Sequence, residues 1–181
     1  MAASEQFLGV GKKYSMIKSG DNVPSVPVKI VDGSEISDAS SSDVLGKGLV
    51  VFFAVPGAFT PTCHVNHLPG FLAAASKFAA EGVDKIVCLA TNDQFVMKAW
   101  GEASNALGKI VFLADGNGAL AKAMGVDRDF SAGGMGVRYA RCAGIVRDGV
   151  VEAVFVEDAP GVNASGAPAV LVALQGAKAT S

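Results

Sequence analysis

The sequence predicts an α/β domain in which a mixed central β-sheet is flanked by helices. Strand-like and helix-like segments alternate from residue 26 to residue 124, a hairpin signal follows at residues 147–149, and a further helical segment comes after it. Half of the 181 residues are apolar and only 18% are charged, a balance that suits one domain with a substantial core.

Apolar runs bounded by turn residues predict the strands. The run 49–55 is apolar without alternation, as expected of a strand that is covered on both faces. Asp148 and Gly149 separate two apolar runs and form a strong hairpin signal. The Ser-rich segment 34–42 is predicted to be a surface loop. The predicted strands are residues 26–31, 49–55, 85–90, 109–113, 139–146 and 150–156.

Helices are predicted where segments rich in Ala and Leu begin at a capping residue or end at a glycine. Gly82, Gly108 and Gly125 each stand just after such a segment, the position at which glycine ends a helix. Asn92 or Asp93 supplies an N-cap for the helix predicted at residues 95–107. The predicted helices are residues 68–80, 95–107, 119–124 and 165–174.

Composition and charge argue against several classes of protein. The net charge is −2, and no basic run is long enough to neutralise a series of phosphates, so nucleic acid is not an expected partner. The uncharged segment 48–76 is interrupted by Pro56 and Gly57 well before about 20 apolar residues, so no membrane span is expected. Three cysteines are too few for a disulfide-stapled secreted domain, and the first residues lack a signal peptide, so we expect a cytoplasmic location.

The polar sequence PGAFTPTCH, residues 56–64, lies between a predicted buried strand and a predicted helix. Cys63 therefore lies in or near the first helical turn, where free backbone N–H groups and the helix macrodipole stabilise a thiolate. Thr60, three residues earlier, can direct its hydroxyl at the sulfur. Pro56 and Pro61 make the loop rigid. A cysteine that only fills the core needs no such loop, so we predict that Cys63 is a nucleophile.

The segment from Pro56 to Cys63 resembles the peroxiredoxin pattern Pro-x-x-x-Thr-x-x-Cys at every fixed position. Together with HLPGF at residues 67–71, it is similar to the type II, or peroxiredoxin-5-like, subfamily, and the similarity extends over about residues 20–176. The resemblance implies a thioredoxin-like fold, with an N-terminal extension at residues 1–20 and a single domain at residues 21–181. It also implies a thiol peroxidase for hydrogen peroxide and alkyl hydroperoxides that needs neither a cofactor nor a metal.

The resemblance assigns roles to individual residues. Cys63 would be the peroxidatic cysteine, which becomes a sulfenic acid, and Pro56 and Thr60 would line its pocket. An arginine late in the chain would bind the peroxide oxygens together with Thr60. Arg138 and Arg141 are the candidates, and the one outside the site would be a salt-bridged surface residue.

The position of the site arginine follows from its spacing to the predicted hairpin. Counting back from Arg147 places Arg141 at the family position. The sequence departs from the family immediately afterwards, since the next residue is usually aromatic and here is Cys142.

The other cysteines bear on how a sulfenic acid would be reduced. Cys88 lies in a predicted buried strand and is expected to be inert, whereas Cys142 either approaches Cys63 or points into the core. Animal members carry a resolving cysteine in the loop before the last helix, and the matching segment 163–166 contains Ser165 but no sulfur. The resemblance thus implies a one-cysteine cycle with glutathione and glutaredoxin, or thioredoxin, as reductant.

Two further expectations concern histidines and assembly. His64 and His67 are too few to hold a metal and are expected to be structural. Phe59 and Trp100 either belong to an exposed apolar surface that forms the contact of a homodimer, as in the type II members that the chain resembles, or simply pack in the core.

Two other functions are alternatives to the thiol peroxidase. The first is a redox relay, in which Cys63 passes oxidation to a partner protein. The second is a binding module without chemistry, which would require the residues of the motif to coincide by chance.

Overall fold

The computed structural model describes residues 14–180 and confirms a mixed sheet with helices on both faces. The strands are β1 (Pro27–Asp32), β2 (Glu35–Ser40), β3 (Leu49–Ala54), β4 (Lys85–Ala90), β5 (Val111–Ala114), β6 (Asp127–Asp129), β7 (Val137–Tyr139), β8 (Cys142–Arg147) and β9 (Val150–Val156). The helices are α1 (Ser41–Leu45), α2 (Leu68–Ala73), α3 (Ala75–Ala80), α4 (Gln94–Ala103), α5 (Ala119–Ala123) and α6 (Ala167–Ala179). A π-helical turn spans Cys63–His67, and a 3₁₀ turn spans Ser131–Gly133.

The main sheet has seven strands in the order β2-β1-β5-β4-β3-β8-β9, and β6 and β7 form a separate two-stranded ribbon. Strands β3, β4 and β5 are parallel, and β1 and β8 flank them as antiparallel neighbours. The loops after β3 and β4 therefore leave the same edge of the sheet, which brings the motif 56–64 beside Asn92.

Strand β3 separates two hydrophobic cores, because all six of its residues are buried and alternate residues point to opposite faces. Phe53 packs in the core that contains Cys63, and Phe52 packs in the core that contains Cys142. Cys142 thus points into the core on the opposite face of the sheet from Cys63, which decides between the two orientations left open for it.

The prediction of a surface loop at residues 34–42 is wrong. Residues 35–40 form the edge strand β2, which pairs with β1 along its whole length after a turn at Gly33. Most of β2 is exposed, so its sequence carries little of the apolar pattern by which strands are recognised.

The helix predicted at residues 68–80 is interrupted at Ala74, which separates α2 from α3. Helical structure also begins earlier than predicted, at residue 61, and passes through the π-helical turn before α2. The helix predicted at residues 95–107 ends at Ala103, because Asn105 adopts a left-handed conformation that stops it.

The strand predicted at residues 139–146 is two strands that belong to different sheets. Strand β7 ends at Tyr139, strand β8 begins at Cys142, and Arg141 lies in the break between them. The hairpin signal is confirmed: Asp148 and Gly149 both have positive φ and connect β8 to β9.

The predicted domain boundary at residue 20 stays a prediction, and residues 1–13 of the predicted extension lie outside the described residues. Ile17 is buried, and its N–H donates to the carbonyl of Met124 at 2.8 Å. Within residues 14–180, no helix has the length and apolar character needed to cross a membrane.

Candidate active site

The loop between β3 and the Cys63 helix is held by its own side chains and by the neighbouring loop. Asn92 Oδ1 accepts the N–H of Ala58 at 2.9 Å, while Asp93, and not Asn92, caps α4. Phe59 adopts a positive φ of 61°, a strained conformation for a non-glycine residue that is typical of functional sites. The carbonyl of Thr60 accepts the N–H of His64 at 2.9 Å, so Cys63 lies in the first helical turn, as predicted.

Cys63 is fully buried, and Arg141 contacts its sulfur from the break between β7 and β8. The Nη2 of Arg141 donates to Cys63 Sγ at 3.2 Å, and the arginine residue is partly buried. A positive group that is not freely hydrated lies against the sulfur, where it stabilises negative charge on sulfur or on an oxygen bound to it.

His67 holds the other arm of the same guanidinium. Its Nδ1 is 3.1 Å from Arg141 Nη1, and its Nε2 is 2.9 Å from the carbonyl oxygen of Ser165. A carbonyl only accepts, so Nε2 carries the proton and Nδ1 accepts from the arginine. Burial, and secondarily the charge of Arg141, lowers the pKa of His67 to about 4. The ring is therefore neutral near pH 7 and does not repel Arg141.

Glu157, just after β9, supports the loop that carries Ser165. Glu157 Oε1 accepts the N–H and the hydroxyl of Ser165, each at 2.8 Å, and the N–H of Asn163 at 2.6 Å. Partial burial alone would raise the pKa of Glu157, but these hydrogen bonds outweigh it and hold the pKa below its ordinary value. The carboxylate is thus ionised at neutral pH.

The structure distinguishes the two candidate arginines by their contacts. Arg138 does not contact the sulfur: its Nε donates to the carbonyl of Met135 at 2.8 Å and its Nη1 to the carbonyl of Pro56 at 3.3 Å. The expectation that this arginine would be salt-bridged on the surface is wrong. Arg138 is partly buried and, within residues 14–180, forms no ion pair. It braces the main chain at the start of the loop.

The Thr60 hydroxyl differs from the expected geometry. It donates to the carbonyl of Gly57 at 2.7 Å, so its single proton is engaged within the loop and not at the sulfur of Cys63. The lone pairs of the hydroxyl oxygen stay available to accept a hydrogen bond from a ligand. The role of Thr60 as a peroxide-binding residue stays a prediction.

His64, the residue after Cys63 in the sequence, contacts Trp100. Trp100 Nε1 donates to His64 Nδ1 at 3.0 Å, and the ring of Phe59 lies 6.4 Å from that of Trp100. Trp100 is fully buried, so the expectation that it would contribute to an exposed surface is wrong, whereas Phe59 is 48% exposed. In the described part of the chain, no three metal-ligating side chains lie together.

The other two cysteines are free and fully buried. Burial, together with the nearby sulfur of Cys63, raises the pKa of Cys88 well above its usual value. Burial also raises the pKa of Cys142 to about 12, although the charge of Arg128 opposes it. Both side chains are therefore neutral thiols at physiological pH, in agreement with the inert character predicted for Cys88.

A cavity of about 380 Å³ opens beside Arg141 and Pro56. Its wall combines apolar groups with charged ones, and Thr60 and Cys63 are not part of it. The lining residues are Pro56, Thr62, Arg128, Phe130, Ala140, Arg141, Glu157, Asp158, Ala159, Pro160 and Gly161.

Sequence reasoning missed two parts of this arrangement. His67 was expected to be only structural, yet it binds the guanidinium that contacts the sulfur. Glu157 carried no signal, because a lone glutamate after a strand has no motif around it. The HLPGF segment, which resembles the subfamily, begins with His67 and is the sequence feature from which a role for this histidine could have been predicted.

A thioredoxin-like sheet with a buried cysteine in the first turn of a helix, contacted by an arginine, defines a thiol-dependent redox protein. Comparison with known proteins agrees, since the Redoxin family model matches residues 18–171. The chain belongs to this family and, within it, to the type II peroxiredoxins.

Curated relatives of the chain include peroxiredoxins of plants and of a cyanobacterium. Peroxiredoxin-2B of Arabidopsis thaliana is 38% identical over 87% of this chain and 98% of the relative. Peroxiredoxin-2E-2, chloroplastic, of Oryza sativa subsp. japonica is 41% identical over 87% of this chain and 72% of the relative. Among solved structures, reduced Prx3 from Vibrio vulnificus in complex with H₂O₂ has a TM-score of 0.82 and 41% identity, covering 88% and 99% of the two chains. The family membership identifies the chain as a peroxide-reducing thiol peroxidase.

Proposed function

We propose that Cys63 attacks hydrogen peroxide and alkyl hydroperoxides, with Arg141 and Thr60 binding the two peroxide oxygens and Pro56 shaping the pocket. The observation that carries this proposal is the 3.2 Å contact between Arg141 Nη2 and Cys63 Sγ. A donor at that distance from the sulfur also lies within reach of an oxygen bound to the sulfur. Prx3 of Vibrio vulnificus, solved with H₂O₂, supports the assignment by similarity.

In the proposed step, the Cys63 thiolate forms a bond to the terminal oxygen of ROOH while the O–O bond breaks. The sulfur loses two electrons to the breaking O–O bond, the attacked OH stays on sulfur as the sulfenic acid, and the departing RO⁻ takes a proton from water to give ROH. Negative charge moves from sulfur to the leaving oxygen during this step. Arg141 stabilises that charge at both ends, and the Thr60 hydroxyl oxygen accepts a hydrogen bond from the O–H of the attacked oxygen.

The cavity beside Arg141 supports an organic group on the peroxide. Phe130 and Pro160 contribute apolar surface to it, and Arg141 and Pro56 lie at its wall, so the substituent R can extend into it. We therefore include alkyl hydroperoxides in the proposed substrate range. Replacement of Phe130 by Asp is expected to slow the reaction with cumene hydroperoxide more than the reaction with H₂O₂.

The sulfenic acid is proposed to be reduced by an external thiol, from glutathione with glutaredoxin or from thioredoxin. Cys142 lies in the core on the other face of the sheet from Cys63, and Cys88 is buried in β4. The loop before α6 contains Ser165, which has no sulfur. The external thiol would form a mixed disulfide with Cys63 and release water, and a second thiol would then free Cys63.

We propose that the chain forms a homodimer through the exposed side of the Cys63 segment. Phe59 and Val65 are 48% and 67% exposed, and Phe95, at 68%, follows Asn92, which binds this loop. Phe59→Arg with Phe95→Arg should shift the sedimentation of the protein from dimer to monomer. Val172→Arg is the matched control, because Val172 is equally exposed on α6.

A cytoplasmic location is also proposed. It rests on the small and odd number of cysteines, all of which are unpaired in the structure. Fractionation of cells followed by detection of the full-length chain tests it, and recovery within an organelle would overturn it.

The central test compares wild type with Cys63→Ser and with the matched variant Cys88→Ser. Each protein is mixed with H₂O₂ and with cumene hydroperoxide, peroxide loss is followed, and the sulfenic acid is located by mass spectrometry. Wild type and Cys88→Ser should consume both peroxides, with turnover when glutathione and glutaredoxin or thioredoxin is added. Equally slow reaction of wild type and Cys63→Ser would show that Cys63 is an ordinary thiol.

A further inference from the structure

Glu157 is linked to the Arg141 guanidinium through two intermediate residues. Its Oε1 accepts two donors from Ser165, which fixes the Ser165 carbonyl that accepts from His67 Nε2. His67 Nδ1 then accepts from Arg141 Nη1, and Arg141 Nη2 donates to the sulfur. Each contact is between 2.8 and 3.2 Å, so an unbroken series of hydrogen bonds joins the carboxylate to Cys63.

Glu157 also contacts the main chain of the same arginine. Its backbone N–H donates to the carbonyl of Arg141 at 3.0 Å, just beyond the β8–β9 pairing. Arg141 is therefore held at its backbone by the amide of Glu157 and at its guanidinium through the carboxylate of Glu157. The backbone contact survives substitution of the side chain, so the two contributions can be separated by experiment.

We propose that Glu157 is a positioning residue for peroxide reduction, which orients the Arg141 guanidinium over Cys63 by fixing the Ser165 carbonyl that holds His67. This inference rests on the proposed function, because the orientation matters only if Cys63 and Arg141 react with peroxide. Glu157 itself makes no hydrogen bond to the sulfur within the described residues, and it acts through Ser165 and His67.

The proposal predicts a change in the His67 tautomer. With Glu157 in place, the fixed carbonyl of Ser165 keeps the proton on His67 Nε2, and Nδ1 is an acceptor. Without the carboxylate, the 163–165 loop loses three hydrogen bonds, and the ring is free to carry its proton on Nδ1. In that form Nδ1 is a donor and no longer accepts from Arg141, so the guanidinium loses one of its two partners.

The test measures the full-length wild-type chain, Glu157→Ala, Glu157→Gln and the control Glu152→Ala. Glu152 is a matched control because it lies on β9, the strand that leads to Glu157, and its side chain binds Arg147 and not Ser165 or His67. The chain has only two histidines, so ¹⁵N nuclear magnetic resonance reports the His67 tautomer directly. The rate of Cys63 with H₂O₂ and the rate of its alkylation by iodoacetamide, which has no peroxide oxygens to bind, are measured on the same samples.

Glu157→Ala is expected to mix the two His67 tautomers and to lower the H₂O₂ rate about tenfold, with a clearly smaller loss of the alkylation rate, which depends on Arg141 only through the charge on the sulfur. Glu157→Gln keeps an acceptor oxygen and should recover most of the rate, and Glu152→Ala should match wild type. Should Glu157→Ala fail to fold, Ser165→Ala, which removes one of the three donors, is expected to show the same changes to a smaller extent.

A wild-type H₂O₂ rate and an unchanged His67 tautomer in Glu157→Ala would overturn the inference. An equal loss of the H₂O₂ rate and the alkylation rate would also overturn it, since a general disturbance of the site would then explain both. A wild-type protein no faster with peroxide than Cys63→Ser would instead overturn the proposed function, whatever the His67 spectrum shows.

Discussion

Arg141 donates to Cys63 Sγ at 3.2 Å through one terminal nitrogen, while its other terminal nitrogen is bound to His67. The guanidinium is planar, so two fixed partners set both its position and the direction of its remaining N–H groups. The contacts of Arg141 therefore depend on the two terminal nitrogens of its guanidinium and not only on its positive charge.

Arg141→Lys is expected to lower the second-order rate with H₂O₂ about 10²- to 10³-fold, the usual effect of losing a donor to a developing oxyanion. Lysine keeps the positive charge, but a single ammonium group does not span His67 and the sulfur together with a peroxide oxygen. Stopped-flow measurement through the fluorescence of Trp100, the only tryptophan, gives the rate, because Trp100 binds His64 next to Cys63.

Arg138→Lys is the matched control for that substitution. Arg138 donates to the main-chain carbonyls of Met135 and Pro56 and makes no hydrogen bond to the sulfur, so its replacement should change the H₂O₂ rate by less than about tenfold. A larger loss in Arg138→Lys than in Arg141→Lys would exchange the roles assigned to the two arginines.

Thr60→Val is expected to lower the H₂O₂ rate about 10²-fold, whereas Thr60→Ser should stay close to wild type. Valine has the shape of threonine but removes the hydroxyl that is proposed to accept a hydrogen bond from the peroxide O–H. It also leaves the carbonyl of Gly57 without its 2.7 Å donor, at a cost of about 1–3 kcal/mol if that oxygen stays buried.

The comparison of rate and stability separates the two effects of Thr60. Urea unfolding gives the free energy of unfolding of each variant, and stopped-flow kinetics gives its rate. A Thr60→Val protein that is destabilised but reacts at the wild-type rate would limit Thr60 to holding the loop.

His67 makes the stability of the fold depend on acidity. Burial lowers the pKa of His67 to about 4, whereas an unfolded histidine titrates near 6.5. Between these values the unfolded chain binds a proton that the folded chain does not, so the free energy of unfolding falls as the pH falls. This single group should remove about 3 kcal/mol by pH 4, measured by urea unfolding across that range.

His67→Gln provides the control for this titration. Glutamine does not titrate, and its amide offers an oxygen to Arg141 and an N–H to the Ser165 carbonyl. The fall in stability between pH 6.5 and pH 4 should therefore be smaller in His67→Gln than in wild type. Parallel curves for the two proteins would show that other groups cause the acid sensitivity.

The sequence predicted those parts of the fold and site that have a local signature. The apolar run of β3, the glycine after α5 and the Asp-Gly hairpin each reflect local backbone or burial requirements, and all three were placed correctly. The position of Cys63 in a first helical turn followed from the loop before it. The spacing from Arg147 selected Arg141, which is the arginine that contacts the sulfur.

The features that were missed depend on neighbours distant in sequence. The edge strand β2 is defined by pairing with β1, and its exposed residues carry no apolar pattern. Trp100 is buried in the core beside Phe112, and its indole donates to His64, 36 residues away in sequence. Glu157 and His67 are 90 residues apart in sequence and meet through Ser165, so no local pattern reveals their connection.

Cys63 is expected to be the only cysteine needed for turnover. Burial places the pKa of Cys142 at about 12 and that of Cys88 well above its usual value, so neither supplies a thiolate near pH 7. In the folded protein, one thiol should react with iodoacetamide, and three should react after unfolding. Replacement of Cys88 and Cys142 by alanine should keep peroxide turnover with an external reductant. Each replacement should lower the free energy of unfolding by roughly 1 kcal/mol.

Cys88 is the decisive member of the pair, because it shares its core with Cys63 whereas Cys142 lies across the sheet. If Cys88 resolved the sulfenic acid, the oxidised wild-type protein would contain a Cys63–Cys88 disulfide, and Cys88→Ala would lose its turnover. The burial of Cys88 in β4 opposes this, since a thiolate would have to form in an apolar core. Mass spectrometry after one equivalent of H₂O₂ should therefore find oxygen on Cys63 and a free thiol at Cys88.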